Sequence, residues 1–236
     1  MDDLYVIEVE PEVRTWLELL PGKQHRKVEE YTELLAVHGT RTPMPFARPL
    51  RDGVYELRPT LDGVATRITY WFAPGHRIVL LTVFRKTRMA EPGQVSRAVA
   101  SRATCQREHG PAHTTYSRSR GREHTVNHTR WKLAQEKKAT EGYAESAEVE
   151  AERAEIRLAM AFAKAVYDRR KELGLSQSQL AERSGLTQAK ISRVEGADAV
   201  PTLPLLRRLA RALDASLNIA LGDDHEEVTF IARPAA

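Results

Sequence analysis

Two arginines in the first half of the chain are spaced so that they could grip one phosphate. In an alternating strand pattern, Arg67 shares one face with Thr69 and Trp71. Arg58 ends the preceding strand-like run, and a hairpin would bring its guanidinium close to that of Arg67. The segment 84–88, FRKTR, adds cations at the end of the next strand. The pattern favours phosphate binding, although solvated surface arginines give the same pattern and remain an alternative.

A different chemistry, the reading of DNA bases in the major groove, is indicated between Leu175 and Glu195. Ser176 followed by Gln179 is a capping-box pattern, and Gly185 suits the end of that short helix because it tolerates positive φ. Thr187 is placed to cap the next helix. The segment therefore predicts two short helices joined by a tight turn.

The second of these helices has a clear inner and outer side. Ile191 and Val194 recur at the spacing of a buried face. The outward positions are polar or small, and they are Gln188, Ala189, Lys190, Ser192 and Arg193. Gln and Arg at such positions can make bidentate hydrogen bonds to base edges, whereas Lys suits phosphates.

The arginines must be positioned by a mixed domain. The predicted order is a strand at 4–9, helical faces at 13–20 and 28–35, strands at 54–58, 64–72 and 78–84, and a helix from Pro92. The three later strands are joined by short turns, which predicts an antiparallel meander against a two-helix hairpin. The run 78–84 is apolar on both faces, so we expect it to be central and covered on both sides.

Length and composition predict two domains of an α+β protein. At 236 residues the chain exceeds one small helical domain. We predict domains at 1–105 and 131–236, the second all-α with its core at 156–213, and a linker at 106–130 that lacks apolar periodicity. The single cysteine, the acidic N-terminus and the absence of a long apolar run predict a cytoplasmic protein with no membrane partner, and the net charge of +4 favours nucleic acid.

Both halves resemble known families. The segments PLRDGVYELRP and GVATRITYWFAPGHRIVLLTVFRKT resemble the RelE/HigB toxin family over about residues 3–105. Residues 156–213 resemble the lambda-repressor-like (XRE) family, and residues 131–236 as a whole resemble a HigA-like antitoxin. The first resemblance implies a small ribonuclease that cuts mRNA on the ribosome. The second implies an antitoxin that binds operator DNA, and the order of the two halves is the gene order of such pairs.

The toxin resemblance assigns roles to the basic residues. RNA cleavage through the 2′-hydroxyl needs proton transfer and stabilisation of charge on the phosphorane, and arginines can supply much of this without a metal. The resemblance implies Arg58, Arg67 and Lys86 as catalytic residues. It gives RNA-backbone contacts to Arg48, Arg51, Arg85 and Arg88. Tyr70 is a weaker catalytic candidate than these residues, because strand alternation places it on the other face of the sheet from Arg67.

The XRE resemblance assigns the DNA contacts. Gln177 would touch a phosphate, while Gln188 and Arg193 would read bases. Ala189 stands where the family often has a polar residue, so its methyl could meet a thymine methyl. The full predicted set is Gln177, Thr187, Gln188, Ala189, Lys190, Ser192 and Arg193. Such domains usually bind half-sites as dimers, so a homodimer is expected.

The region between the domains resembles translated intergenic sequence. Val126 could mark the original start of a separate antitoxin, which suggests a fusion of adjacent genes, natural or engineered. Two H-x₃-H pairs near Cys105, namely His109/His113 and His124/His128, could bind zinc, but neither lies in a convincing helix. We therefore expect no metal and no cofactor.

An acidic block precedes the helix-turn-helix. Its glutamates are Glu141, Glu145, Glu148, Glu150, Glu152 and Glu155. A solvated helix face is the simpler interpretation, and the alternative is that these residues cover the basic cleft, in cis or in trans. The favoured function is a toxin-antitoxin fusion whose partners are operator DNA and, for the free toxin domain, ribosome and mRNA. The alternative is a transcription regulator with a non-catalytic sensing domain.

Overall fold

The protein is described by a computed structural model over residues 4–88, 90–112, 115–116, 129–222 and 226–233. The chain divides into two compact units, Met1–Ser146 and Ala147–Ala236. The predicted α+β class is confirmed. Val126, His113, His124 and His128 lie outside the described residues.

The first unit combines helices with a mixed sheet. Its helices are α1 (Pro11–Leu19), α2 (Gly22–His38), α3 (Pro92–Glu108) and α4 (Ala134–Glu141), with a 3-10 turn at Gly39–Arg41. Its strands are β1 (Val6–Val9), β2 (Ala47–Pro49), β3 (Tyr55–Leu57), β4 (Thr60–Leu61), β5 (Val64–Ala73), β6 (Arg77–Arg85), β7 (Thr115–Tyr116) and β8 (Thr129–Trp131). Pro11 and Pro92 stand at the first turns of α1 and α3, where a missing N–H costs nothing.

The strand order is β2-β3-β5-β6-β1-β8-β7, and β4 pairs with β5. The predicted antiparallel meander is confirmed for β3, β5 and β6. The sheet is not wholly antiparallel, since β1 pairs with β6 in the parallel direction. The long connection between β1 and β6, which contains two helices and the other meander strands, allows the two strands to lie side by side in the same direction.

Strand β6 is central, as its doubly apolar pattern predicted. On one face, Trp71, Val79 and Leu81 pack with Ala98 and Cys105 of α3. The intervening side chains of β5 and β6 are buried as well, including Ile68, Tyr70, Ile78 and Leu80. Helix α1 packs on β6 and α2 on β1, and their buried faces include Val13, Leu17, Tyr31 and Leu35.

The chain from Thr129 to Ser146 still belongs to the first unit. Strand β8 pairs antiparallel with β1, and Trp131 lies opposite Ile7. Trp131 is 1% exposed and contacts His25 edge-on, with ring centroids 5.7 Å apart. The boundary between the units therefore lies at Ser146, later than the linker at 106–130 that composition favoured. Composition could not show it, because a single three-residue strand carries the pairing.

The second unit is built around the helix-turn-helix. Its elements are α5 (Ala147–Glu172), α6 (Gln177–Ser184), α7 (Gln188–Glu195), α8 (Leu203–Ala212), β9 (Ala215–Leu221) and β10 (Glu226–Ala232). Its core includes Val166, Leu180, Ile191 and Leu209. The predicted flanking helices are confirmed, and the acidic segment from 147 onward is continuous with the first of them.

The second unit carries a two-stranded hairpin after its helices. Strands β9 and β10 pair antiparallel, with Phe230 opposite Leu217. The hairpin packs on the helices because Phe230 and Ala215 are buried in the core of the second unit. Asp223 and Asp224 lie outside the described residues.

Candidate functional site

Three arginines of the first unit converge on one buried carboxylate. The Nε atoms of Arg48, Arg58 and Arg67 lie 2.8, 3.5 and 3.6 Å from Oε1 of Glu56. The side chains of these arginines are 44%, 20% and 7% exposed, in the same order. The cluster is therefore graded in depth, and an anion arriving from solvent would meet Arg48 before Arg67.

Strand register explains why these side chains meet. Arg48 on β2 stands opposite Glu56 on β3, and Glu56 stands opposite Thr69 on β5. Arg67, two residues before Thr69, projects from the same face as a diagonal neighbour of Glu56. Arg58 follows β3. Its backbone N–H donates to Phe46 O, and its Nη1 donates to Pro45 O and Met44 Sδ.

Arg67 is the innermost cation of the cluster. Burial, followed by the charge of Arg58, lowers the pKa of Arg67 to about 10, although Glu56 acts in the opposite direction. The guanidinium thus stays protonated at neutral pH. Its Nη1 donates to Thr66 O at 2.6 Å, whereas its buried Nε has no hydrogen-bond acceptor among the described residues. A buried donor without an acceptor is costly, and an anionic ligand could supply the acceptor.

Lys86 lies within the field of the same arginines. Burial and then the charges of Arg67, Arg58 and Arg48 lower the pKa of Lys86, and Glu56 only partly offsets them. The structure thus brings together the three residues predicted to be catalytic, Arg58, Arg67 and Lys86. Four cations face one carboxylate in this described cluster, which leaves an excess of positive charge suited to phosphate.

The other predicted RNA-contacting arginines are placed elsewhere, apart from Arg48. Arg51 donates to Ser96 Oγ at the start of α3, at 2.6 Å. Arg85 is exposed and lines a depression that includes Trp16 and Leu20. Arg88 is exposed, and its backbone N–H donates to Glu91. No described contact joins these three to Glu56.

Sequence reasoning missed Glu56. The alternation in VYELR puts Glu56 on the same side as Arg58, and this pattern could have identified it. Tyr70 lies on the other face, stacked on Tyr55 with ring centroids 5.5 Å apart. His76 has a φ of 58° in the β5–β6 turn and stacks on Tyr5.

In the second unit, α6 and α7 are each capped at their N-terminus and are joined by a tight turn. Ser176 Oγ accepts from Gln179 N, and the Gln179 side chain accepts from Ser176 N, so the predicted capping box is present. Gly185 has a φ of 63°, and Thr187 Oγ1 accepts from Lys190 N. The side chains predicted to face outward on α7 are exposed, and they are Gln188, Ala189, Lys190, Ser192 and Arg193.

Buried ion pairing orients the outer face of α7. Arg170 binds both carboxylate oxygens of Glu195, and its Nη2 lies 2.8 Å from Oε2. Gln177 Nε2 donates to Glu195 Oε2 at 2.8 Å, and Gln188 Nε2 donates to Gln177 Oε1 at 3.1 Å. These hydrogen bonds hold the amide of Gln188 in one orientation. Arg193 is held separately, with Nε 2.8 Å from Asp198 Oδ2.

Comparison with known proteins agrees with both halves of the structure. The family described as phage derived protein Gp49-like (DUF891) matches residues 15–104, and a helix-turn-helix domain family matches residues 161–218. The molecule is therefore a RelE/HigB-like toxin-type domain followed by a helix-turn-helix DNA-binding domain.

A similar protein is an uncharacterized HTH-type transcriptional regulator of Methanothermobacter thermautotrophicus, 42% identical over 66 residues, which are 28% of this chain and 84% of that protein. By this similarity the chain belongs to the helix-turn-helix family of that regulator. In the part of the chain that the structure describes, no helix is both long and apolar enough to span a membrane.

Proposed function

We propose that the first unit is a ribosome-dependent mRNA endonuclease and that the remainder of the chain restrains it and binds operator DNA. The observation that carries the proposal is the convergence of Arg48, Arg58, Arg67 and Lys86 around the single carboxylate of Glu56. A sensing domain has no need to concentrate uncompensated positive charge in this way, whereas a phosphate-transfer site does.

The proposed reaction uses the 2′-hydroxyl of the RNA as nucleophile. Its oxygen attacks the adjacent phosphorus and the bond from phosphorus to the 5′-oxygen breaks, which yields a 2′,3′-cyclic phosphate and a 5′-hydroxyl. Lys86, with its lowered pKa, is the candidate to accept the 2′-hydroxyl proton. Arg58 would hold the non-bridging oxygens, and Arg67 is the arginine best able to give a proton to the 5′-oxygen. Glu56 positions the guanidinium groups.

Restraint of the nuclease is supported by the acidic residues that follow the first unit, among them the exposed Glu148 and Glu150 of α5. We propose that these glutamates compete with mRNA for the basic cluster, in the same chain or in a second copy. Charge complementarity would then exclude mRNA.

The test compares the full chain with a form that ends at Ser146, in a cell-free translation reaction. Ending the chain at residue 130 would remove Trp131 from the core, so the cut after Ser146 is the appropriate one. The shortened form is expected to cut translated mRNA and the full chain is not, as mapped by primer extension. Arg67→Ala in the shortened form should abolish the cuts. If the folded short form leaves mRNA intact, the nuclease proposal is wrong.

The proposed DNA target is the promoter of the protein's own gene, bound by a dimer. The exposed face of α7 and the orientation of Gln188 support base reading, and the free edge of the β9–β10 hairpin offers a pairing surface for a second copy. Footprinting should show two protected half-sites about one helical turn apart. A single protected half-site bound by a monomer would exclude this arrangement.

A second candidate function is a transcription regulator with a non-catalytic first domain. The ion pairing of the buried Arg67 and of Arg58 to Glu56 favours it, because such pairing is also a structural device. This function predicts that Arg67→Ala changes operator binding or stability, with no effect on translation in either chain length.

A further inference from the structure

Three side chains with different metal-binding atoms meet away from the basic cluster. They are Glu10, which precedes α1, Cys105 in the last turn of α3, and His109 at the end of α3. Their ligand atoms all lie within 4.8 Å of one another, and His109 Nδ1 is 2.9 Å from Glu10 Oε1. Cys105 and His109 are four residues apart, a spacing that places both on one side of a helix.

The surroundings of Cys105 disfavour the negatively charged thiolate form of its side chain. Cys105 is 2% exposed and Glu10 is 7% exposed. Burial, and then hydrogen bonding and the charge of Glu10, raise the pKa of Cys105 to about 12. The indole N–H of Trp71 lies close enough to lower that pKa slightly, yet its buried Nε1 makes no hydrogen bond of normal geometry among the described residues. Glu10 does not cap its own helix with its side chain.

We propose that Glu10, Cys105 and His109 form a Zn²⁺ site with a water molecule as the fourth ligand. Thiolate, imidazole and carboxylate together suit Zn²⁺, whereas Mg²⁺ and Ca²⁺ prefer oxygen alone. Usual zinc–ligand lengths of about 2.0–2.3 Å put tetrahedral ligand atoms roughly 3.3–3.8 Å apart, so small side-chain movements are enough to close the site. Binding releases the thiol proton to solvent. The thiolate then accepts the Trp71 N–H, and the ion neutralises Glu10.

Such a site would tie two helices to the sheet. Helices α1 and α3 both pack on β6, and the ligands come from the start of one and the end of the other. A ligand that binds only the folded state stabilises it in proportion to the logarithm of its concentration. The zinc alternative raised from the sequence paired His109 with His113. The structure instead assigns His109 to a set that includes a distant glutamate.

The test uses Co²⁺ in place of Zn²⁺ on the full chain, without a histidine tag. Cys105 is the single cysteine of the chain, so any thiolate-to-cobalt charge-transfer absorption identifies it. We expect that band, with tetrahedral d–d bands, and its loss when Zn²⁺ displaces Co²⁺. Zn²⁺ should also raise the thermal midpoint of the first unit. Absence of the charge-transfer band on the folded, unaltered chain overturns the proposal, whatever the variants do.

Variants then identify the other two ligands. Glu10→Gln and His109→Ala should each weaken Co²⁺ binding about tenfold or more, and Cys105→Ser should remove the band. His38→Ala is the matched control, because His38 is exposed at the end of α2. The Co²⁺ affinity of this variant should equal that of the unaltered chain. A band that persists with unchanged affinity in folded Glu10→Gln and His109→Ala would show that Cys105 binds metal with other partners. These measurements do not depend on RNA cleavage, so they test the zinc site independently of the proposed function.

Discussion

Glu56 determines how the arginines of the first unit can be used. One carboxylate oxygen contacts three guanidinium groups, so none of them is fully neutralised. Taking charges out of water is expensive, and Glu56 offsets part of that cost while leaving a net positive site. In the proposed reaction, this arrangement would keep Arg67 in place before a phosphate binds and so reduce the reorganisation needed.

Arg67→Ala should lower mRNA cleavage by the chain ending at Ser146 about 10²- to 10³-fold, because it removes a donor aimed at the reacting phosphate. The rate of appearance of cut ends in a translation reaction measures this. Arg85→Ala is the matched control, since Arg85 is exposed and has no described contact with Glu56. Equal losses in both variants would point to general RNA affinity instead of a role in the reaction.

Lys86→Met should stabilise the protein at neutral pH, because the folded state lowers the pKa of Lys86 and so disfavours its charged form. The unfolded chain binds this proton more tightly, so the stability of the unaltered protein rises with pH from the lowered pKa up to the ordinary value of 10.5. The advantage of the variant should therefore shrink as pH rises through that window. Urea unfolding across this range measures the difference, and a constant difference would contradict it.

At the scale of elements, β8 attaches the chain that follows residue 128 to the sheet of the first unit. It comes from the end of the predicted linker, and only Trp131 belongs to the segment that resembles an antitoxin, yet the strand pairs with β1 of the toxin-type sheet. Strand addition satisfies the backbone groups of an open edge, and Trp131 adds a large buried apolar surface. The basic cluster lies on β2, β3 and β5, toward the opposite edge of the sheet. Strand β8 is therefore an attachment and not a cover for the site.

Trp131→Ala should lower the free energy of unfolding of the first unit by about 3–5 kcal/mol, the usual cost of removing a buried tryptophan side chain. Chemical denaturation followed by circular dichroism measures this. Tyr143→Ala, an exposed aromatic from the same unit, should change stability by less than about 0.5 kcal/mol. A small effect of Trp131→Ala would mean that β8 is not part of the cooperative core.

At the scale of the whole molecule, the chain joins a basic, phosphate-suited cluster to a DNA-binding unit. The two units use positive charge differently. In the first, arginines that range from exposed Arg48 to buried Arg67 surround a carboxylate. In the second, exposed side chains of α7 extend beyond a buried ion pair of Arg170 and Glu195. The second arrangement allows contacts that release counterions from DNA, so its affinity should depend on salt.

Lys190→Ala in the full chain should weaken binding to its own promoter DNA at low salt. For a dimer it should also reduce the slope of log affinity against log salt by about two, one for each lysine. Gln188→Ala should instead cost about 1–3 kcal/mol at one base position and leave the slope unchanged. Fluorescence anisotropy at several salt concentrations separates the two, and matching slopes for both variants would rule out this division of roles.

How much could be predicted depends on whether a feature is local. The helix pair of the second unit was predictable to the residue, since the capping box at Ser176 and the turn at Gly185 depend on neighbours within a few positions. The meander and the shared face of Arg67 and Thr69 followed from strand alternation. Only three of the predicted basic contacts, Arg51, Arg85 and Arg88, were not brought to the cluster.

The sequence by itself determined the two kinds of domain, the order of the main helices and of the meander strands, and which residues have the chemistry to bind phosphate or bases, because these depend on periodicity and on residue chemistry. Tertiary structure decided what meets over long separations. It placed β8 beside β1, and Glu10 next to Cys105 and His109. Such pairings depend on strand register and on helix packing across the sheet, where residues about a hundred positions apart become neighbours without any local signal.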